Sequence, residues 1–409
     1  MSPKVLLVTS NRWFATARLA MALQKAGFIV DAVCPGGHPI RTTNSYSVIY
    51  AFRGLAPLAS IRAAIQASEP DIVIPCDDFA RSNLHRIHAQ CSPPNCTVSA
   101  LLERSLGDPS HFSLIDSRTA LIQLAQAEGI ATPRTGVVNS LDELRLWIDE
   151  NGVPLVLKTD GTSGGRGIKI ANTVEEAQIS FRQLNSLPKA ARTIKRALVD
   201  KDWSLVSPFL KRQLPTINAQ RFIPGKDATI TAACWQGRVL ASITVEVLKT
   251  WKARGPASVV KLIDNTIMRT AAEKLADRLH LSGLYGFDFV LEETAGHPYL
   301  IEMNPRATQT AHLSLGPGRN LAAALAAAVV ETQPPEIASI TNNDVIALFP
   351  LAWQNDSASP YLRSAYHDVP WEEPKLVSLG VKSKLRNGGW LTYETLDRIA
   401  SRFSLRRSR

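Results

Sequence analysis

The sequence predicts an α/β fold: a doubly wound parallel-sheet domain over residues 1–105, then a mixed α+β region over residues 106–332. Three observations carry this expectation. Short, continuous apolar runs alternate with helices through the first hundred residues, the rhythm of a parallel sheet. Beyond residue 116 a glycine-rich, hairpin-like stretch joins the strand that ends at Lys158 to the one that resumes at Ile168. Residues 285–306 then read as two alternating strands whose internal acids match in register.

In order, Lys4–Thr9 is an apolar run of the kind a buried parallel strand shows. A helix through Met21–Ala26 stops at Gly27, and Phe28–Cys34 is the next strand, closed by Pro35-Gly36-Gly37. The plan repeats with a helix over Pro57–Ser68, a strand over Asp71–Pro75, and Asp77-Asp78 at the start of another helix. A helix from Asp116 to Ala127 is stopped by Gly129. After a short strand, a helix over Leu141–Glu150 leads into the apolar strand Val153–Lys158. Leu205–Leu210 reads as an apolar strand, and Asn218–Asp227 as a crossover into the strand Ala228–Trp235. A helix over Asn265–Leu279 precedes the hairpin, and an alanine-rich helix capped by Asn320 and running through Val330 follows it. From about Gln333 the chain turns richer in proline and tryptophan. Residues 333–409 read as an accessory segment with one strand (Val345–Phe349) and a basic end bearing Arg402, Arg406, Arg407 and Arg409.

The chemistry concentrates in two stretches. In the hairpin, a turn centred near Ala295 sets Asp288 opposite Glu302, with Asn304 one step further and Arg306 two residues on. Phe287, Phe289 and Leu291 share one face of the first strand, opposite Asp288 and Val290. In the second strand Tyr299, Ile301 and Met303 oppose Leu300, Glu302 and Asn304. Two carboxylates and an amide oxygen suit Mg²⁺, which keeps waters and substrate phosphates as its remaining ligands. The plainer reading, solvated strand charges and an Asn-Pro turn, does not explain why the acids match in register. The second stretch is Lys158 followed by Thr159-Asp-Gly-Thr-Ser-Gly-Gly-Arg-Gly167, after which Ile168–Ile170 resumes a strand. Successive glycines let backbone N–H groups close on phosphate oxygens, and the lysine adds a point charge. It is not a Walker loop, since no Gly-Lys-Ser/Thr occurs and the glycines lead into a strand.

Composition narrows the classes. The 409 residues are 45% hydrophobic and 20% charged, a globular balance that allows two or three domains. No basic-then-apolar leader opens the chain, and Leu321–Val330 is half the length a bilayer needs, so the expectation is a cytoplasmic protein without a membrane partner. Five cysteines give no disulfide framework. His85, His88, Cys91 and Cys96 have zinc-ligand chemistry, but Pro93-Pro94 and the lack of a second Cys-x-x-Cys favour a helix end with an ordinary loop. The net charge of +10 fits an anionic small substrate. Nucleic acid is the minority reading, because no basic stripe interleaves with aromatics. The first turn, Thr9-Ser10-Asn11-Arg12, lacks Gly-x-Gly-x-x-Gly, so a dinucleotide is not indicated.

A strand-end lysine with a glycine-rich lid, a crossover, and an Asp…Glu-x-Asn-x-Arg hairpin, in this order, resemble the ATP-grasp superfamily. Within it the pattern is similar to the carboxylate–amine and carboxylate–thiol ligases related to biotin carboxylase and the carbamoyl phosphate synthase large subunit. The resemblance covers residues 1–330. It implies a two-lobed ATP-grasp fold, with a lid lobe over about 116–205 and a metal-site lobe over about 206–332. It also implies ATP, with Mg²⁺ or Mn²⁺. Lys158 would contact the phosphates and Gly164, Gly165 and Gly167 would cover them. Phe222 and Ile223 would meet the adenine beside Gln220, and Asp227 the ribose. Asp288, Glu302 and Asn304 would hold the metal, and Arg306 would face the transferring phosphate. The family usually has a lysine near the start of the Asp116 helix. This chain has Ser117 and Arg118, whose planar fork is not a lysine's point charge.

The function expected is an ATP-dependent ligase that activates a small carboxylate and joins it to an amine or similar nucleophile, as a monomer or homodimer. Lys249, Lys252 and Arg254 are candidates to receive the carboxylate, although a solvated charged loop explains them equally well. Two other classes compete: a nucleotide-binding regulator without turnover, and a polyanion binder led by the basic end. Five intact site residues weigh against the first, and the second requires salt-sensitive binding that is lost without residues 402–409.

Overall fold

The structure is a computed structural model and describes residues 2–91, 96–160, 167–187, 193, 196–197, 202–251 and 255–385. Strands β1 (Lys4–Val8), β2 (Ile29–Cys34), β3 (Ile49–Ala51) and β4 (Ile72–Pro75) form an all-parallel sheet in the order β3-β2-β1-β4. The run Val5-Leu6-Leu7-Val8 is fully buried because both faces are covered. Val5 and Leu7 join one core with the helix Phe14–Lys25, and Leu6 and Val8 join another with the helices Pro57–Ser68 and Asp78–Ala89. The first helix is longer than the sequence suggested. It starts at Phe14, and Thr16, Ala17 and Ala20 are buried small residues that carry little periodic signal.

A second, antiparallel sheet is built from β5 (Thr135–Val137), β6 (Leu155–Thr159), β7 (Ile168–Ala171) and β8 (Ile217–Arg221), ordered β5-β8-β6-β7. The helices Leu141–Asn151 and Val174–Leu184 cover it, capped by Ser140 and Thr173. Leu205–Leu210, expected as a strand, is instead a short helix over Val206–Leu210. Pro208 sits in its first turn, where a missing N–H is tolerated, whereas a sheet would lose a ladder bond there. The expected crossover also shrinks. Asn218–Arg221 lies in β8 and the next strand already opens at Gly225, so the connection is only Phe222-Ile223-Pro224.

The third sheet has seven strands, ordered β13-β12-β9-β10-β11-β14-β15. They are β9 (Gly225–Trp235), β10 (Arg238–Thr250), β11 (Ala257–Leu262), β12 (Gly283–Glu292), β13 (Pro298–Asn304), β14 (Val345–Leu348) and β15 (Tyr366–Asp368). Phe287, Phe289, Leu300 and Met303 pack with Met268, Ala272 and Leu275 of the helix Thr266–Arg278. The last two strands come from beyond residue 333. β14 pairs with β11, and β15 pairs parallel to β14. Among the described residues no helix is long and apolar enough to cross a membrane.

Candidate active site

The β12–β13 hairpin pairs Asp288 with Glu302 and Gly286 with Asn304, the register read from the sequence. A bulge lies between Asp288 and Phe289, where Phe289 pairs with Leu300. That extra residue breaks the expected alternation. Leu300 and Met303 both reach the core, while Ile301 and Glu302 both line a cavity of about 400 Å³. The expected pairing of Ile301 with Met303 on one face therefore does not hold.

Lys158, Gln220, Phe222, Ile223, Asp227, Asp288, Glu302, Asn304 and Arg306 all line this cavity. Lys158 stands near the end of β6, opposite Asn218 of β8, and only 6% of it is exposed. Its Nζ donates to the Ile301 carbonyl at 3.4 Å, and Gln220 Nε2 donates to the same oxygen at 3.4 Å and to Thr135 Oγ1 at 3.0 Å. Burial pulls the lysine down to about 8, although Glu302, Asp288 and Asp227 oppose the shift. Asp227, also desolvated, is pushed above the usual carboxylate range. Where the glycine-rich stretch leaves β6 and rejoins β7, Thr159 N–H donates to Gly167 O at 3.0 Å, and Gly167 has a φ of +74°, a conformation that suits glycine. Gly164, Gly165, Lys252 and Arg254 lie outside the described residues, while Lys249 is exposed near the end of β10.

Around the acids runs a chain of alternating charge. Asn304 Nδ2 donates to Asp288 Oδ2 at 2.8 Å, and Arg306 Nη2 donates to Asn304 Oδ1 at 3.0 Å. Arg306 Nε then reaches Asp78 Oδ2 at 3.1 Å, across to the parallel-sheet domain. On the other side Arg118 Nη1 lies 2.6 Å from Glu302 Oε1, and its Nε lies 3.5 Å from Asp160 Oδ1. Burial and the neighbouring Glu302 push Asp288 up to about 6. Glu302 with Arg118 and Asp288 with Asn304 thus form two adjacent positions where a cation would compete with resident donors.

Sequence reasoning missed Asp78, Asp160 and Trp13. Trp13 lines the cavity from the loop after β1, and Asp78 follows β4 at the start of its helix. The signal was available, since ligands of parallel α/β sheets gather at the carboxyl ends of the strands. Arg118 at the first helical position, noted as a departure from the family pattern, lines the same cavity. His85 and His88 make other contacts. His85 stacks on Phe112 with ring centroids 4.0 Å apart, and His88 Nε2 lies 2.9 Å from Glu103 Oε1.

Residues 116–315 match the family model described as the carbamoyl-phosphate synthase L chain, ATP binding domain. The overall structure is similar to N5-carboxyaminoimidazole synthetase from Staphylococcus aureus complexed with ADP. The TM-score is 0.58 at 14% identity, covering 82% of this chain and 79% of that one. It is also similar to the biotin carboxylase domain of 2-oxoglutarate carboxylase from Hydrogenobacter thermophilus in complex with MgADP. There the TM-score is 0.57 at 16% identity, covering 83% and 72%. The chain shares the fold of these ATP-grasp proteins. Among curated relatives, the chain is 24% identical over 222 residues to the carbamoyl phosphate synthase large chain of Mesorhizobium japonicum. That match takes in 49% of this chain and spans only 18% of the relative. A shorter match, 36% identical over 62 residues and 15% of each protein, is to a phosphoribosylamine–glycine ligase of Streptococcus suis.

Proposed function

We propose that the chain is an ATP- and Mg²⁺-dependent ligase that activates a small carboxylate as an acyl phosphate and joins it to an amine or similar nucleophile, releasing ADP and phosphate. The observation that carries the reading is the Asp288–Glu302 pair, facing the same cavity as a buried lysine from a different sheet. The donor set fits a hard divalent cation: two carboxylates in register, an amide oxygen beside them, and no soft ligand. Asp288, Glu302 and Asn304 would hold it, and the metal would supply neutralisation of phosphate charge. Lys158 supports the β- and γ-phosphates with a point charge, and Gly164, Gly165 and Gly167 close over them. Gln220, Phe222 and Ile223 meet the adenine and Asp227 the ribose. Arg306, held in place by Asp78, faces the oxygens of the group being transferred. The reaction needs no protein nucleophile, only alignment and charge stabilisation. The similarity to a phosphoribosylamine–glycine ligase and to a carbamoyl phosphate synthase large chain supports the reaction class.

Glu302→Gln tests this directly. The variant keeps the hydrogen-bonding shape beside Arg118 but removes a charge that a cation needs. ADP release in the presence of an acid and amine pool should fall at least about a hundredfold, the scale of single electrostatic deletions in active sites. Circular dichroism should remain that of the parent. Near-normal turnover would sink the assignment. ATP binding with no acid-dependent turnover in the parent protein would favour a nucleotide-binding regulator.

A further inference from the structure

A second chemically distinct spot lies on the parallel-sheet domain, where the helix Asp78–Ala89 gives way to the helix Thr97–Leu106. Cys91 and Cys96 stand there, both partly exposed. Cys96 is the N-cap of the second helix, and its Sγ accepts the Ser99 N–H at 3.4 Å. Cys91 Sγ donates to the Ile87 carbonyl at 3.4 Å. His88 fastens the two helices together, with Nε2 2.9 Å from Glu103 Oε1 and 3.0 Å from Ser99 Oγ. The end of one helix, which carries Cys91, is thereby tied to the start of the next, which carries Cys96.

We propose that Cys96 and Cys91 form a peroxide-reactive thiol pair, in which Cys96 attacks and Cys91 resolves to give an intramolecular disulfide. A sulfur at a helix N-terminus meets unpaired N–H groups and the positive end of the dipole, which favour the thiolate. The Ser99 N–H and the Cys91 thiol hold Cys96 below the usual thiol range, while burial and then the neighbouring sulfur push Cys91 up to about 11. Of the two, Cys96 is the sulfur that gives up its proton more readily. The remaining cysteines behave oppositely. Burial pushes Cys34 to about 11 and Cys76 and Cys234 to about 12, which leaves them inert thiols.

The chemistry balances with a hydroperoxide as oxidant. The Cys96 thiolate attacks one peroxide oxygen, the O–O bond breaks, and the departing hydroxide takes up a proton to become water. Cys96 is then a sulfenic acid. With the negative charge beside it consumed, Cys91 gives up its proton and attacks Cys96 Sγ. The S–S bond forms, the S–O bond breaks, and a second water leaves. Two thiols are oxidised and one peroxide is reduced.

The test uses the full chain, reduced, desalted and treated with equimolar hydrogen peroxide. Both cysteines fall on the tryptic peptide 87–104, which should lose two hydrogens and regain them with dithiothreitol. In the untreated native protein, iodoacetamide should alkylate Cys96 at least about tenfold faster than Cys91 at neutral pH. Cys91→Ser should stop at a sulfenic acid on Cys96 that dimedone traps, and Cys96→Ser should leave Cys91 unoxidised. Oxidation at Cys34, Cys76 or Cys234, a disulfide between chains, or faster alkylation of Cys91 than Cys96 would overturn the proposal. The alkylation rates come from the parent protein, so they decide the matter even if a variant folds poorly.

Discussion

At the scale of one residue, Lys158 makes the proposed site sensitive to pH. Lys158 is held down to about 8 by burial, so near neutral pH it is protonated, and its charge is lost as pH rises through that value. If the protonated form is the one that receives phosphate, ATP affinity should be constant below pH 8 and fall above it, approaching tenfold per pH unit. Calorimetric titration with ATP between pH 7 and 9.5 reads this directly. Lys158→Met should bind weakly and without that slope. A slope that survives in the variant would assign the titration to another group. The partners of such residues divide sharply in how far the sequence revealed them. Counting from a turn near Ala295 opposed Asp288 and Glu302, and in the structure the bulge after Asp288 is what sets the two opposite each other. The pairing of Arg118 with Glu302 and of Arg306 with Asp78 joins residues far apart in the chain. No local periodicity encodes those contacts.

At the scale of elements, Asp77 contrasts with the acid that follows it. Its Oδ1 accepts from Ala80 N–H at 2.8 Å and Ser10 Oγ at 2.7 Å, and its Oδ2 accepts from Ser10 N–H at 2.6 Å and Thr9 Oγ1 at 2.9 Å. One carboxylate therefore caps the helix that presents Asp78 and pins the loop after β1 that presents Trp13. Asp77→Ala would strip a helix cap and strand buried donors, at a cost of about 2–4 kcal/mol. Urea unfolding measures the loss, and a change under about 1 kcal/mol would contradict the role. Asp77→Asn should lose less, since an amide oxygen still caps. The helices with polar caps and the buried parallel strands were legible because their signals are local. The Val206–Leu210 helix and the hairpin bulge were not. A short apolar stretch suits either conformation, and a bulge leaves no mark in an alternating pattern.

Across the whole molecule, the segment beyond residue 333 is fastened to the first domain by a buried ion cluster. Asp368, 1% exposed at the end of β15, pairs with Arg18 of the first helix and accepts from His312 Nε2 at 2.6 Å. Burial alone would raise the Asp368 carboxyl, but Arg18 and His312 hold it below the usual range. Asp368→Ala would leave Arg18 buried without its counter-charge, a loss of about 3–5 kcal/mol. The midpoint of denaturant unfolding should drop, and amide exchange should quicken first at Tyr366–Asp368. Unchanged exchange there would show that the cluster is not what fastens the strand. The sequence marked one strand of this segment, Val345–Phe349, but not β15, which is three residues long and finds its partner across the sheet. One further contact ties the sheets together. The Ile301 carbonyl, beside the bulge, receives both Lys158 and Gln220 from the smaller antiparallel sheet. A nucleotide that draws Lys158 onto its phosphates takes a donor from that joint. Thermodynamic reciprocity then requires that whatever free energy the lost contact costs in affinity reappears as easier separation of the two lobes. Loosening and loading become a single equilibrium seen from two ends.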